Sequence, residues 1–206
     1  MSYDDLDYHQ AGQVRPDNLK EWLRHQTADV WHLATQSTDY DGDTDLLLWV
    51  ISNPRCELST ALTILWQGFP DQSLAYYSSN DFHMAASLAD YSGRKLPRAP
   101  LGTFVLHREI ISRLSRGFYK SRSIHFKNGY PTEADSLPVY KRWHDEAMRR
   151  IDKAGLPRPW NLPDWAATPF AGREADSIYE FEHGYTVWWK MDYWDKHIRP
   201  GLANRN

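Results

Sequence analysis

The chain has 206 residues, with 24 Lys and Arg against 27 Asp and Glu, and the resulting charge of −3 argues against a globally basic nucleic-acid binder. At 41% hydrophobic and 25% charged residues the composition is globular, and a single cysteine, Cys56, excludes an intrachain disulfide and a cysteine-based zinc site. Mean hydropathy is −0.69, and no apolar run approaches the roughly 20 residues of a membrane helix; with a polar, acidic start, a cytoplasmic protein with no membrane partner is expected.

In chain order, Asp17 after Pro16 predicts a helix start, and Leu19, Trp22, Leu23, Val30, Leu33 and Ala34 continue one apolar face at helical spacing. The acidic turn Thr38-Asp39-Tyr40-Asp41-Gly42-Asp43 follows. Asp43 or Thr44 then caps a short apolar helix over 46–51, which Asn53-Pro54 ends, because the residue before proline is driven out of helical geometry. Ser59 and Thr60 open a helix over 61–67, stopped by Gly68 and Pro70, and another is expected over 81–90. Residues 93–102 are rich in Gly and Pro and read as a linker or exposed loop.

A basic helix is expected over 104–120, with Val105, Ile110, Ile111 and Leu114 inward, then a short strand over 121–126. The spacing predicts a further helix over 137–153, with Tyr140, Trp143, Met148 and Ile151 inside and Gly155 as its stop. Residues 155–172 hold four prolines and read as a structured loop in which Trp160 and Trp165 are covered. The aromatic segment 178–197 reads as helix with a break near Gly184. The expected fold is mainly α: one domain over 1–206, a bundle of seven to nine helices with at most a small β element. An acidic helical subregion spans about 17–92 and a basic, aromatic one about 103–206.

Charge is segregated along this order. Residues 1–90 hold four basic and fourteen acidic residues, a net of −10, whereas 94–127 hold nine basic residues against Glu109, a net of +8. Ten tryptophans and twelve tyrosines suit both a core and an interface.

Three stretches form a pattern: Thr38 to Gly42, then Leu48-Trp49-Val50-Ile51-Ser52-Asn53-Pro54-Arg55-Cys56, then Thr60-Ala61-Leu62-Thr63-Ile64-Leu65-Trp66. Over about 20–70 this resembles the bacterial family called domain of unknown function 4274, with its Asp-Gly turn, Asn-Pro-x-Cys turn and Thr-Ala-Leu helix. Tyr40 stands where that pattern has tryptophan, and Gly117-Phe118-Tyr119-Lys120-Ser121 extends the likeness. The resemblance implies a binding role beside polymorphic toxins and no catalytic residues. The same residues also have plain folding roles, as helix stop, small core residue and helix opening.

The residues that suggest catalytic or metal chemistry also have simpler readings. With Gly42 aligned to the glycine of a helical calcium loop, Leu48 falls where a bidentate glutamate is required, so that loop fails. Glu21, His25, Asp29 and His32 are spaced to share one helix face and form the alternative metal site, although they lack ligands from a second element. His107 and His125 have no evident carboxylate orienter. Cys56 sits in an apolar setting that keeps its thiol protonated. There is no nucleophile elbow, Walker loop or dinucleotide fingerprint.

The leading expectation is a non-enzymatic immunity protein without cofactor that occludes the active site of a cognate toxin. Asp39, Asp41, Asp43 and Asp45 are the expected contacts, with Tyr40 as anchor. The alternatives are a metal protein or enzyme built on the His25, Asp29, His32 stripe, and a nucleic-acid binder using 94–127, whose cations interleave with Phe104, Phe118, Tyr119 and Phe126. For that basic segment the simpler reading is a cationic face packed against an anionic one.

Overall fold

The computed structural model describes residues 19–38, 43–68, 70, 101–126, 142, 145–146, 148–149, 152–153, 162–182, 186–189 and 196. The fold is mainly α. Among the described residues there are five α-helices: α1 (Leu19–Arg24), α2 (Ala28–Gln36), α3 (Thr44–Ile51), α4 (Leu58–Gln67) and α5 (Leu101–Ser115). A 3-10 turn (Asp164–Ala167) and two short strands, β1 (Tyr179–Glu182) and β2 (Thr186–Trp189), complete them. The chain divides into two compact units, Met1–Asp39 with Ala175–Asn206, and Tyr40–Glu174. The compositional break expected near residue 95 lies outside the described residues, as does the helix expected over 81–90.

In the first unit, the single helix expected from residue 17 to 34 is two. The break falls at 25–27, where His25 and Gln26 close a turn onto the carbonyls of Trp22 and Leu23. Thr27, in extended geometry, accepts a hydrogen bond from the Val30 amide and so starts α2 afresh. A threonine that caps satisfies an amide the interrupted helix would leave orphaned. Trp31 donates its indole N–H to the Leu23 carbonyl across the break, so the two helices stay packed.

The segment expected to be helical over 178–197 is corrected where it is described. Tyr179–Glu182 pairs antiparallel with Thr186–Trp189, with Tyr179 opposite Trp189 and Glu182 opposite Thr186. Aromatic and β-branched residues favour pleated pairing, and tertiary pairing overrode the apparent helical spacing. The ring of Tyr179 meets Trp22 edge-on, with centroids 4.7 Å apart.

In the second unit α4 is the centre. All ten of its residues are buried, from Leu58 to Gln67, as expected of a helix enclosed on every side. Its far end is fixed by Trp66, whose indole N–H donates to the Ala166 carbonyl at 2.8 Å. α5 packs against α3 and α4 through Thr103, Phe104, Leu106, His107, Ile110, Ile111 and Leu114. Val105, expected inside, is 42% exposed, because the buried stripe runs through Phe104, His107, Ile111 and Leu114 and leaves it on the opposite side. His107 is fully buried against Gly68, where a side chain on residue 68 would collide with the imidazole.

α5 stops at Ser115, short of the expected residue 120. Gly117 takes the left-handed conformation at φ 61°, its amide bonds to the Leu114 carbonyl, and the Phe118 amide bonds to the Arg113 carbonyl. This is the hydrogen-bond pattern of a glycine helix stop, and Arg113 covers the Phe118 ring at 4.5 Å. Farther along, Arg142, Asp145, Glu146, Met148, Arg149, Asp152 and Lys153 are helical and Met148 is buried, within the helix expected over 137–153.

Candidate functional site

The chain from Tyr119 to Phe126 leaves α5 and enters an extended run. Two isolated bridges bind it to the segment expected as a structured loop: Ile124 opposite Arg173, and Phe126 opposite Phe170. The His125 and Phe126 amides donate to the carbonyls of Arg173 and Phe170, and the Arg173 amide donates back to Ser123. Gly172 makes this approach possible. A Cβ there would lie 2.5 Å from the His125 nitrogen and 2.8 Å from the Ser123 oxygen.

The other side of the run is held by a buried carboxylate. Glu57 occupies the N-cap position of α4 and is 4% exposed. Its Oε1 accepts from the hydroxyls of Ser121 (2.5 Å) and Ser123 (2.6 Å), and its Oε2 accepts from the Ser123 amide at 3.0 Å. The Leu58 amide donates to the Ser121 carbonyl. Burying a carboxylate is costly unless its lone pairs are satisfied, and three donors satisfy them here. The helix start of α4 and residues 121–123 are thus locked together.

In an extended chain successive side chains point to opposite sides. With Ser121 and Ser123 turned toward Glu57, Arg122 goes the other way. Its guanidinium lies 5.7 Å from the ring centre of Trp165 and 5.2 Å from that of Phe170. These distances suit cation–π attraction. Trp165, expected to be covered, is instead 41% exposed. The 3-10 turn points it outward, and it is Ala166 beside it that is buried.

Leu58, Leu114, Gly117, Tyr119, Lys120, Arg122 and Trp165 enclose a cleft of about 270 Å³. Its floor is apolar, since Leu58, Leu114 and Tyr119 are buried. Its rim is cationic and aromatic, since Lys120, Arg122 and Trp165 are exposed. Tyr119 is fixed by its hydroxyl, which donates to the Ile51 carbonyl at 3.2 Å, and burial raises its pKa above the phenolic range. Such a site can hold an anionic group at the rim and an apolar one beneath it.

Of the residues expected as toxin contacts or metal ligands, those that are described do not line this cleft. Asp39, Tyr40 and Asp41 lie outside the described residues, while Asp43 and Asp45 sit at the start of α3, half-buried and exposed respectively. The metal stripe is not assembled. Glu21 and His25 are exposed and 3.7 Å apart, whereas Asp29 and His32 are buried on a separate helix. Asp29 accepts the Asp176 amide at 3.0 Å, and the His32 ring meets the Gln36 side chain at 2.9 Å. Among the described residues no group of three or more His, Cys, Asp or Glu could hold a metal ion.

Two further readings change. His125 does have a carboxylate neighbour, Glu174, at 3.2 Å. Arg113, one of the nine cations of the basic segment, bonds Glu109 at 2.7 Å and the Ser52 hydroxyl at 3.2 Å. Arg94, Lys95, Arg98 and Lys127 lie outside the described residues. Cys56 is buried, and burial, aided by the Glu57 charge, raises its thiol pKa well above the usual range.

Lys120 and Arg122 belong to the nine cations of the basic segment, but no local pattern points to Glu57, Leu58 or their meeting with Trp165. The pair of serines two apart was the local signal of a run with one side tied down. Compared with known proteins, the chain matches no family model, no curated protein and no solved structure.

Proposed function

We propose that this chain is a non-enzymatic protein-binding protein whose contact surface is centred on Trp165 and Arg122. One observation supports this reading: a tryptophan left 41% exposed at the rim of a cleft, beside an arginine held over its ring. Tryptophan, tyrosine and arginine are the residues most enriched among those that dominate binding energy at protein interfaces. The cations Lys120 and Arg122 make an acidic contact on the partner the complementary one. In the form implied by the Asn-Pro-x-Cys likeness, the partner is a cognate toxin and the chain is an immunity protein that occludes it.

Affinity capture from the native cells tests the surface when three baits are compared. They are the wild-type chain, the pair Arg122→Glu with Trp165→Ala, and the pair Asp43→Lys with Asp45→Lys. A stoichiometric protein held by the first and third baits and lost by the second is the expected result. Retention by the second bait with loss by the third moves the contact to the acidic start of α3 and removes the cleft from the reading.

A further inference from the structure

The geometry points to a particular recognition element on that partner: a short exposed segment with one large apolar or aromatic side chain between acidic residues. This inference rests on the protein-binding reading above and names what the cleft takes. The argument is one of matching parts. The cleft has one apolar floor, made by Leu58, Leu114 and Tyr119, and two cations on its rim, Lys120 and Arg122. A volume of about 270 Å³ lies at the lower edge of the range for drug-sized ligand sites, so it admits one side chain rather than a large ligand. An aspartate or glutamate alone reaches the rim and leaves the floor unfilled. An apolar residue alone fills the floor and leaves the cations unmatched. A segment that offers both uses every part of the site.

The site is also built before any ligand arrives. Glu57 fixes Ser121 and Ser123, and the rings of Trp165 and Phe170 flank Arg122. Holding the cation in place lowers the ordering cost of binding. A polynucleotide is the poorer match. Its affinity grows with the number of phosphates neutralised, and two cations line this cleft. Nearby Arg113 is already bonded to Glu109.

Fluorescence anisotropy with labelled seven-residue peptides tests the inference on the full chain. The probe peptide carries one tryptophan flanked by two aspartates. One control replaces the tryptophan with alanine, a second replaces both aspartates with asparagine, and ten-nucleotide oligothymidylate is the third. The expected result is that the probe binds at least tenfold more tightly than either peptide control. Lys120→Gln and Arg122→Gln should each weaken it several-fold, with unchanged circular dichroism. Equal binding of the tryptophan-free acidic peptide overturns the inference and reduces the cleft to a charged patch, leaving the protein-binding reading intact. No peptide binding, while the captured partner is still lost by the cleft bait, overturns the inference alone. Oligothymidylate that outcompetes the probe overturns both, because the partner is then a nucleic acid.

Discussion

Asp29 and Glu57 are two buried carboxylates in comparable places, one in each compact unit. Asp29 lies in the first turn of α2 and Glu57 at the N-cap position of α4. Both accept a backbone amide from far along the chain, Asp176 in one case and Ser123 in the other. Glu57 also binds two serine hydroxyls, and the segment it pins carries Arg122 into the wall of a cleft. Asp29 takes the amide of Asp176, an exposed residue where water can replace a lost acceptor. A carboxylate at a helix start is usually read as a local cap. Here both act over long range, and the one that gathers two hydroxyls and an amide shapes a site.

The largest effect expected is from Glu57→Ala, which takes the shared acceptor from two hydroxyls and an amide and leaves a cavity at the buried start of α4. It should cost about 3 kcal/mol in urea unfolding, and Glu57→Gln clearly less, since its oxygen still accepts. A loss for Glu57→Ala no larger than that for Asp29→Ala breaks the comparison. Gly172→Ala attacks the same wall from the opposite side. Its methyl group must force residues 123–125 away, for a cost of about 2 kcal/mol and reduced amide protection at His125 and Phe126.

Asp29→Ala should cost about 1 kcal/mol by the same unfolding assay, because the Asp176 amide can turn to water. The smallest stability effect is expected from Trp165→Ala. The side chain is exposed, so the melting temperature should hold within about 2 °C, while capture of the partner is lost. A large drop in melting temperature instead would make Trp165 a structural residue and remove it from the contact surface.

The helical interior of the second unit was largely legible from local rules. Asn53-Pro54 ends α3 where expected, and Gly68 follows the last residue of α4. Errors arose where a distant partner or a single backbone angle decided the matter. Gly117 turned left-handed and stopped α5 early, and Thr27 capped a new helix inside an unbroken apolar spacing. Tyr179–Glu182 became a strand because Thr186–Trp189 was there to pair with it. The cleft was illegible for the same reason. Nothing near Glu57 in sequence announces Ser121 and Ser123, and nothing near Arg122 announces Trp165.

The packing of His107 against Gly68 couples this fold to acid. Burial holds the imidazole pKa at about 3, against an ordinary 6.5. The folded chain therefore keeps His107 neutral between those values, while the unfolded chain takes up a proton below 6.5. Proton uptake by the unfolded state alone means that this contribution to stability is intact above pH 6.5 and drains away as pH falls toward 3. The loss runs at up to about 1.4 kcal/mol per pH unit. Urea midpoints measured from pH 7 to pH 4 should fall accordingly, and His107→Leu should flatten the slope. One ring sealed inside the second unit thus gives the molecule a built-in preference for neutral surroundings.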